Sequence, residues 1–121
     1  MALHDLIERE RGTRCCADGA APSLSLAEAQ QVSDDFQILG HPVRLLILDV
    51  LARHAGKVCV CDLEAAVPVK QPTVSHHLRL LREAGLVDAE RHGPWMYYFI
   101  RHEALEALRA RITRMLALVD A

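Results

Sequence analysis

A chain of 121 residues has room for one domain, and a composition 51% hydrophobic, 25% charged and 4% aromatic suits a soluble helical one. No run of about 18 apolar residues occurs, which argues against a membrane span. Residues 1–14 mix acids with bases and lack the apolar stretch of a secretory leader, so a cytoplasmic location is expected. The net charge of −2 gives no overall attraction to nucleic acid, but it is unevenly spread. Residues 1–39 hold three bases against seven acids, and residues 40–101 hold eight against six, so a local basic face in the middle of the chain stays open.

Residues 1–24 read as a loosely ordered N-terminal arm, because Gly12 and the run Ala17 to Ser23 combine turn formers with small residues. From Leu26 the apolar positions Leu26, Ala29, Val32, Phe36 and Leu39 recur at helical spacing, with Ser25 and Glu28 spaced as a capping box. Gly40-His41-Pro42 ends that helix, and Pro42 suits the first turn of the next, about 42–54. This second helix carries Val43, Leu46, Ile47, Val50 and Leu51 on one stripe and stops at Gly56. A short helix from Asp62 to Val67 precedes Pro68, and another runs from Gln71 to a C-cap at Gly85. Two short helices joined by a tight turn outline a helix-turn-helix. Leu86 to Glu90 and Trp95 to Ile100 are strand-like, with Arg91-His92-Gly93-Pro94 as the turn between them.

A hairpin in that place is the wing of a winged helix. The expected fold is therefore mainly α with a β-hairpin wing, and residues 25–121 form a winged helix-turn-helix domain for DNA binding and dimerisation. The last segment carries Leu105, Leu108, Ile112, Met115 and Val119 at spacings of three and four, a seam that suits a partner helix. No nucleophile–base pair, phosphate loop or Cys-x-x-Cys motif is present, so no catalytic residue is assigned and an enzyme is not expected.

The four cysteines fall as Cys15-Cys16 and Cys59-x-Cys61. In a cytosolic chain, metal or redox chemistry is a better account of them than disulfide staples. Thiolates take soft ions such as As(III), Sb(III), Cd(II), Pb(II) or Zn(II). Two residues apart in a regular helix, Cys59 and Cys61 would point about 200° apart, so holding one ion requires a non-helical backbone there. Oxidation of either pair is the rival reading.

The run from Val58 to Tyr98, VCVCDLEAAVPVKQPTVSHHLRLLREAGLVDAERHGPWMYY, together with LGHPVRLLIL at Leu39 to Leu48, resembles the ArsR/SmtB metal-sensing repressors. The resemblance implies a homodimer joined through its N- and C-terminal helices. Such a dimer binds double-stranded operator DNA when metal-free and leaves it when metal binds. It leans toward the arsenite-responsive branch, with As(III) or Sb(III) as inducer, and leaves Cd(II) or Pb(II) as the alternative. Relatives that sense arsenite from this box alone carry a third cysteine further along the same helix. Here none follows Cys61, so Cys15 and Cys16 on the arm are the expected further ligands beside Cys59 and Cys61.

In the helix from Gln71, the apolar Val74, Leu78 and Leu81 mark a buried stripe, with His77 packed beside them. The opposite face presents Ser75, His76, Arg79 and Arg82, while Gln71 and Thr73 lie at the N-terminal end, where the helix dipole favours phosphate. Gln pairs with adenine and Arg with guanine, whereas Ser and Thr are tolerant. The expected DNA contacts are Lys70, Gln71, Thr73, Ser75, His76 and Arg79, with Arg91 and His92 of the wing on the flanking backbone. Pro94 stands where relatives carry a base, which weakens the grip of the wing.

Overall fold

The computed structural model describes residues 20–54 and 56–120. The expectations placed on Cys15, Cys16 and the rest of residues 1–19 lie outside them. Among the described residues, five helices and three strands follow in order: α1 (Leu26–Leu39), α2 (Pro42–Arg53), β1 (Val58–Cys59), α3 (Val60–Ala66), α4 (Gln71–Glu83), β2 (Val87–His92), β3 (Trp95–Ile100) and α5 (His102–Val119).

Local chemistry sets most boundaries. Ser25 Oγ accepts from the Glu28 amide at 3.1 Å while Glu28 Oε1 accepts from the Ser25 amide at 3.2 Å, a complete capping box. His41 caps α2 through Nδ1, which accepts from the Val43 amide at 3.1 Å, and Pro42 begins the helix. After α4 the chain reverses at Gly85, whose φ of +80° suits glycine, and the Leu86 amide donates back to Leu81. A Cβ at Gly85 would meet nothing within 4 Å, so Gly85→Ala adds only backbone strain. We expect a loss of about 1 kcal/mol, read as a lowered urea midpoint; an unchanged midpoint would contradict this account of the turn.

The core lies where α2, α3, α4 and the sheet meet. Ile47 and Leu51 of α2 pack with Leu63 of α3, Val74, Leu78 and Leu81 of α4, and Val87 of β2. In α2 the i, i+4, i+8 row Val43, Ile47, Leu51 faces inward. Leu46, expected on that stripe, is exposed, because it lies about 100° around the helix from Ile47. Much of the stripe on α1 is also open: Val32 is buried, but Leu26 is 85% and Phe36 47% exposed. In the seam of α5, Leu108 is buried, Leu105, Ile112 and Met115 are half-buried, and Val119 is exposed.

Three further expectations need correction. The short helix starts at Val60 rather than Asp62, so Cys61 lies in its first turn while Cys59 remains extended. Arg91 and His92 belong to strand β2, not to the turn: His92 pairs with Trp95, which leaves a two-residue loop of Gly93 (φ +63°) and Pro94. The sheet also has a third strand. β1 pairs antiparallel with β3, Cys59 opposite Tyr97, giving the order β1-β3-β2.

Two charged pairs join α1 and α5 among the described residues. Arg111 of α5 holds Asp35 of α1 with two donors, Nε at 2.7 Å and Nη2 at 2.9 Å, and the Asp35 side chain is only 5% exposed. Arg114 adds an outer contact to Glu28 at 3.2 Å.

Candidate nucleic-acid interface and thiol site

Helix α4 is amphipathic. Val74, His77, Leu78 and Leu81 are buried, so Ser75, His76, Arg79 and Arg82 point outward. Lys70 is the N-cap residue, and no side chain caps the first turn. Pro72 has no N–H and the Thr73 amide donates to the Lys70 carbonyl at 3.0 Å, which leaves the amide of exposed Gln71 beside half-buried Thr73. The charges on this face are partly engaged within the protein. Arg79 donates to His76 Nδ1 at 3.2 Å and lies 3.9 Å from Glu83, while Arg82 sits 3.3 Å from Asp88.

Arg91 is exposed opposite Met96. His92 lies 3.1 Å from Glu90 and edge-on to Tyr97, and the same Glu90 carboxylate holds Lys57. These two partners, Lys57 first and then His92, hold the Glu90 carboxyl below the usual carboxylate range. Glu90 therefore neutralises part of the basic charge of the wing, a contact the sequence did not reveal because Lys57 and Glu90 meet only across the three-stranded sheet.

The thiols of Cys59 and Cys61 come together at the junction of β1 and α3, Sγ to Sγ 2.8 Å. The extended backbone at Cys59 (φ −63°, ψ 140°) followed by helix at Cys61 brings both side chains to one point, which a continuous helix would not. Cys59 is buried and Cys61 exposed. The hydrogen bond to Cys59, then desolvation, then the charges of Cys59 and Asp62 push the Cys61 thiol up from its ordinary value. An ion captured here must displace protons. The donor set is soft and its two sulfurs converge, which fits a thiophilic ion. It is also incomplete, since no group of three or more His, Cys, Asp or Glu side chains suited to a metal occurs among the described residues.

A further group gathers behind α4, where Arg44 of α2 reaches His77 Nδ1 at 3.2 Å. His77 is 6% exposed. Burial first, then His41, Arg44 and His76, hold its pKa below that of an ordinary histidine. Arg44 is the contact that sequence reasoning missed; its place in the HPVR segment carried no signal for it.

Two short helices with the second presented outward, followed by a hairpin, define a winged helix-turn-helix DNA-binding module. The profile of the bacterial regulatory protein arsR family matches residues 41–89, from the cap of α2 into β2. The chain is 41% identical over 85 residues to a putative arsenical resistance operon repressor of Halobacterium salinarum, spanning 69% of each protein. It is 36% identical over 83 residues to the cadmium resistance transcriptional regulatory protein CadC of Listeria innocua, again 69% of each. Among solved structures it is similar to a homodimeric winged helix-turn-helix DNA-binding domain of Mycobacterium bovis, a possible ArsR-family regulator. That match has a TM-score of 0.58 and 29% identity over 83% of this chain and 92% of the other. The chain belongs to the ArsR/SmtB family of transcriptional regulators, which are DNA-binding proteins rather than enzymes. No helix among the described residues is long and apolar enough to cross a membrane.

Proposed function

We propose that this protein is a homodimeric repressor of a metal-resistance operon, released from its operator by As(III) or Sb(III) bound at Cys59 and Cys61. The observation that carries the reading is the pair of thiols 2.8 Å apart at the base of the helix-turn-helix. Both sulfurs converge on one point, so a single thiophilic ion can bridge them once their protons leave. Cys59 is paired with Tyr97 of the wing, and Cys61 belongs to the helix that leads to α4. An ion held by both sulfurs therefore couples the two parts that meet DNA. Cys15 and Cys16 supply the remaining sulfur, from the same subunit or from the partner.

In the DNA-bound dimer, Gln71, Thr73, Ser75, His76 and Arg79 face the major groove, while Lys70, Arg91 and His92 face phosphates. The two copies of α4 read half-sites about 34 Å apart. An open apolar cleft lined by Val32, Phe36 and Met115, together with exposed Leu26, Leu116 and Val119, supports dimerisation through α1 and α5. Relatives named for arsenical and for cadmium resistance support a soft ion in either case, and the two readings differ in how many sulfurs they use. As(III) is satisfied by three sulfurs; Cd(II) or Pb(II) would use all four.

The test is a duplex enriched by this protein from a random pool, held at constant salt and titrated separately with arsenite and with cadmium. We expect arsenite to weaken binding about ten-fold or more. Release by cadmium alone would move the protein to the cadmium/lead reading. Release by peroxide under strict chelation, without a response to either ion, would make it a thiol redox switch. Binding unchanged by saturating arsenite would overturn the arsenite assignment.

A further inference from the structure

Three histidines and an arginine gather where the start of α2 meets α4. The His41 and His77 rings are 4.2 Å apart, centroid to centroid, and those of His76 and His77 5.1 Å. Each Nδ1 faces a donor that cannot reverse its role: the Val43 amide for His41 at 3.1 Å, Arg44 Nη1 for His77 at 3.2 Å, and Arg79 Nη2 for His76 at 3.2 Å. A guanidinium has five N–H donors and no acceptor, and a backbone N–H only donates, so each Nδ1 must accept and each neutral ring carries its proton on Nε2. The Arg44 guanidinium also donates through Nε to the Ile38 carbonyl at 2.6 Å and through Nη2 to the Gln37 carbonyl at 3.0 Å. One side chain thus ties the last turn of α1 to the buried face of α4.

We propose that Arg44 and His77 are positioning residues for DNA binding, a joint that seats α4 against α1 only while His77 is neutral and that lets go in acid. The proposal rests on the reading of α4 as the DNA-contacting helix. A second proton on His77 would set an N–H against the Arg44 N–H, turning a hydrogen bond into a repulsion. The charged and titratable groups acting on His77 are His41 and Arg44 from α2 and His76 from α4, while α1 contributes the carbonyls that hold Arg44. None of these groups is an acid that would compensate the added charge.

The direction of the effect follows from linkage. Unfolded His77 titrates near about pH 6.5, and its folded pKa is lowered. Between those values the unfolded chain binds more protons, so the joint contributes fully above the window and loses its contribution as pH falls through it. Simple electrostatics predicts the opposite for DNA, because protons gained on histidines near a duplex strengthen the attraction to phosphate. The sign of the pH response separates the two.

The experiment measures affinity for the selected duplex between pH 8 and pH 5.5 at constant salt, with the dimer checked by sedimentation at each pH. We expect about ten-fold weaker binding at pH 5.5 than at pH 7.5 with the dimer intact. His77→Asn, whose Oδ1 accepts from Arg44 without titrating, should flatten the profile whatever its affinity at pH 7.5. Wild-type affinity that is flat or rises in acid would overturn the joint while leaving the DNA-binding reading intact. A wild-type slope retained in His77→Asn would overturn it as well. Failure to bind any duplex at any pH would remove both.

Discussion

Cys59→Ser and Cys61→Ser proteins are expected to hold the selected duplex about as tightly as wild type and to ignore arsenite. Oxygen replaces sulfur at little change in volume, but a hydroxyl is a poor ligand for a soft ion. The wild-type protein should lose about ten- to hundred-fold in affinity at saturating arsenite, a coupling of about 1–3 kcal/mol. Either substitution should reduce that loss to under about two-fold, since one remaining box sulfur cannot couple β1 to α3 through the ion. Cys61→Ser is the cleaner variant, because Cys61 is exposed whereas Cys59 packs inside. Fluorescence anisotropy reads both quantities in one titration. A Cys61→Ser protein still released by arsenite would remove the thiol pair from the mechanism.

Arg111→Ala should give one of the largest stability losses of any surface-reaching substitution, and a larger loss than Asp35→Ala. The Asp35 carboxylate is 5% exposed and receives two Arg111 donors, whereas the Arg111 side chain is 38% exposed. Removing Arg111 leaves a buried carboxylate without its counter-charge, at a cost of about 3 kcal/mol. Removing Asp35 leaves a guanidinium that water can still reach, so the loss should be nearer 1–2 kcal/mol, roughly one hydrogen-bonded charge. With a urea m-value of about 1–3 kcal/mol/M, the Arg111→Ala midpoint falls by about 1–3 M. Equal midpoints for the two variants would contradict this asymmetry. Because α1 and α5 carry the exposed apolar surface proposed for dimerisation, the Arg111→Ala protein should also dissociate at higher concentration than wild type.

Much of the fold was legible because its signals are local. The Ser25–Glu28 box, Pro42 at the start of α2, Gly85 after α4 and the Gly93-Pro94 loop each specify a boundary within a few residues. The convergence of Cys59 and Cys61 was legible too, since it needed only a break in helical geometry between them. Contacts set by tertiary packing were not. Strand β1 is two residues long and carries no periodicity; it exists because β3 has an open edge there. Asp35 interrupts the apolar pattern of α1 and is buried only because Arg111, far along the chain, reaches it. Leu46 and Phe36 matched the helical stripes yet remain exposed, since a helical period marks apolar faces without saying which of them the subunit covers by itself. His92 was expected at DNA from its place near the tip of the wing, and its contact with Glu90 depends on the strand pairing.

The most direct test of the central claim follows two signals in one arsenite titration of the protein–duplex complex. Ultraviolet absorption reports arsenic–thiolate bonds, and anisotropy of the labelled duplex reports release. We predict that both saturate at the same arsenite equivalence in the wild-type protein, and that release is lost in Cys61→Ser, where the three remaining sulfurs can hold the ion without coupling β1 to α3. Thiolate absorption that saturates in the wild-type protein while the duplex stays bound would contradict the account, because the thiol pair would then hold the ion without controlling DNA.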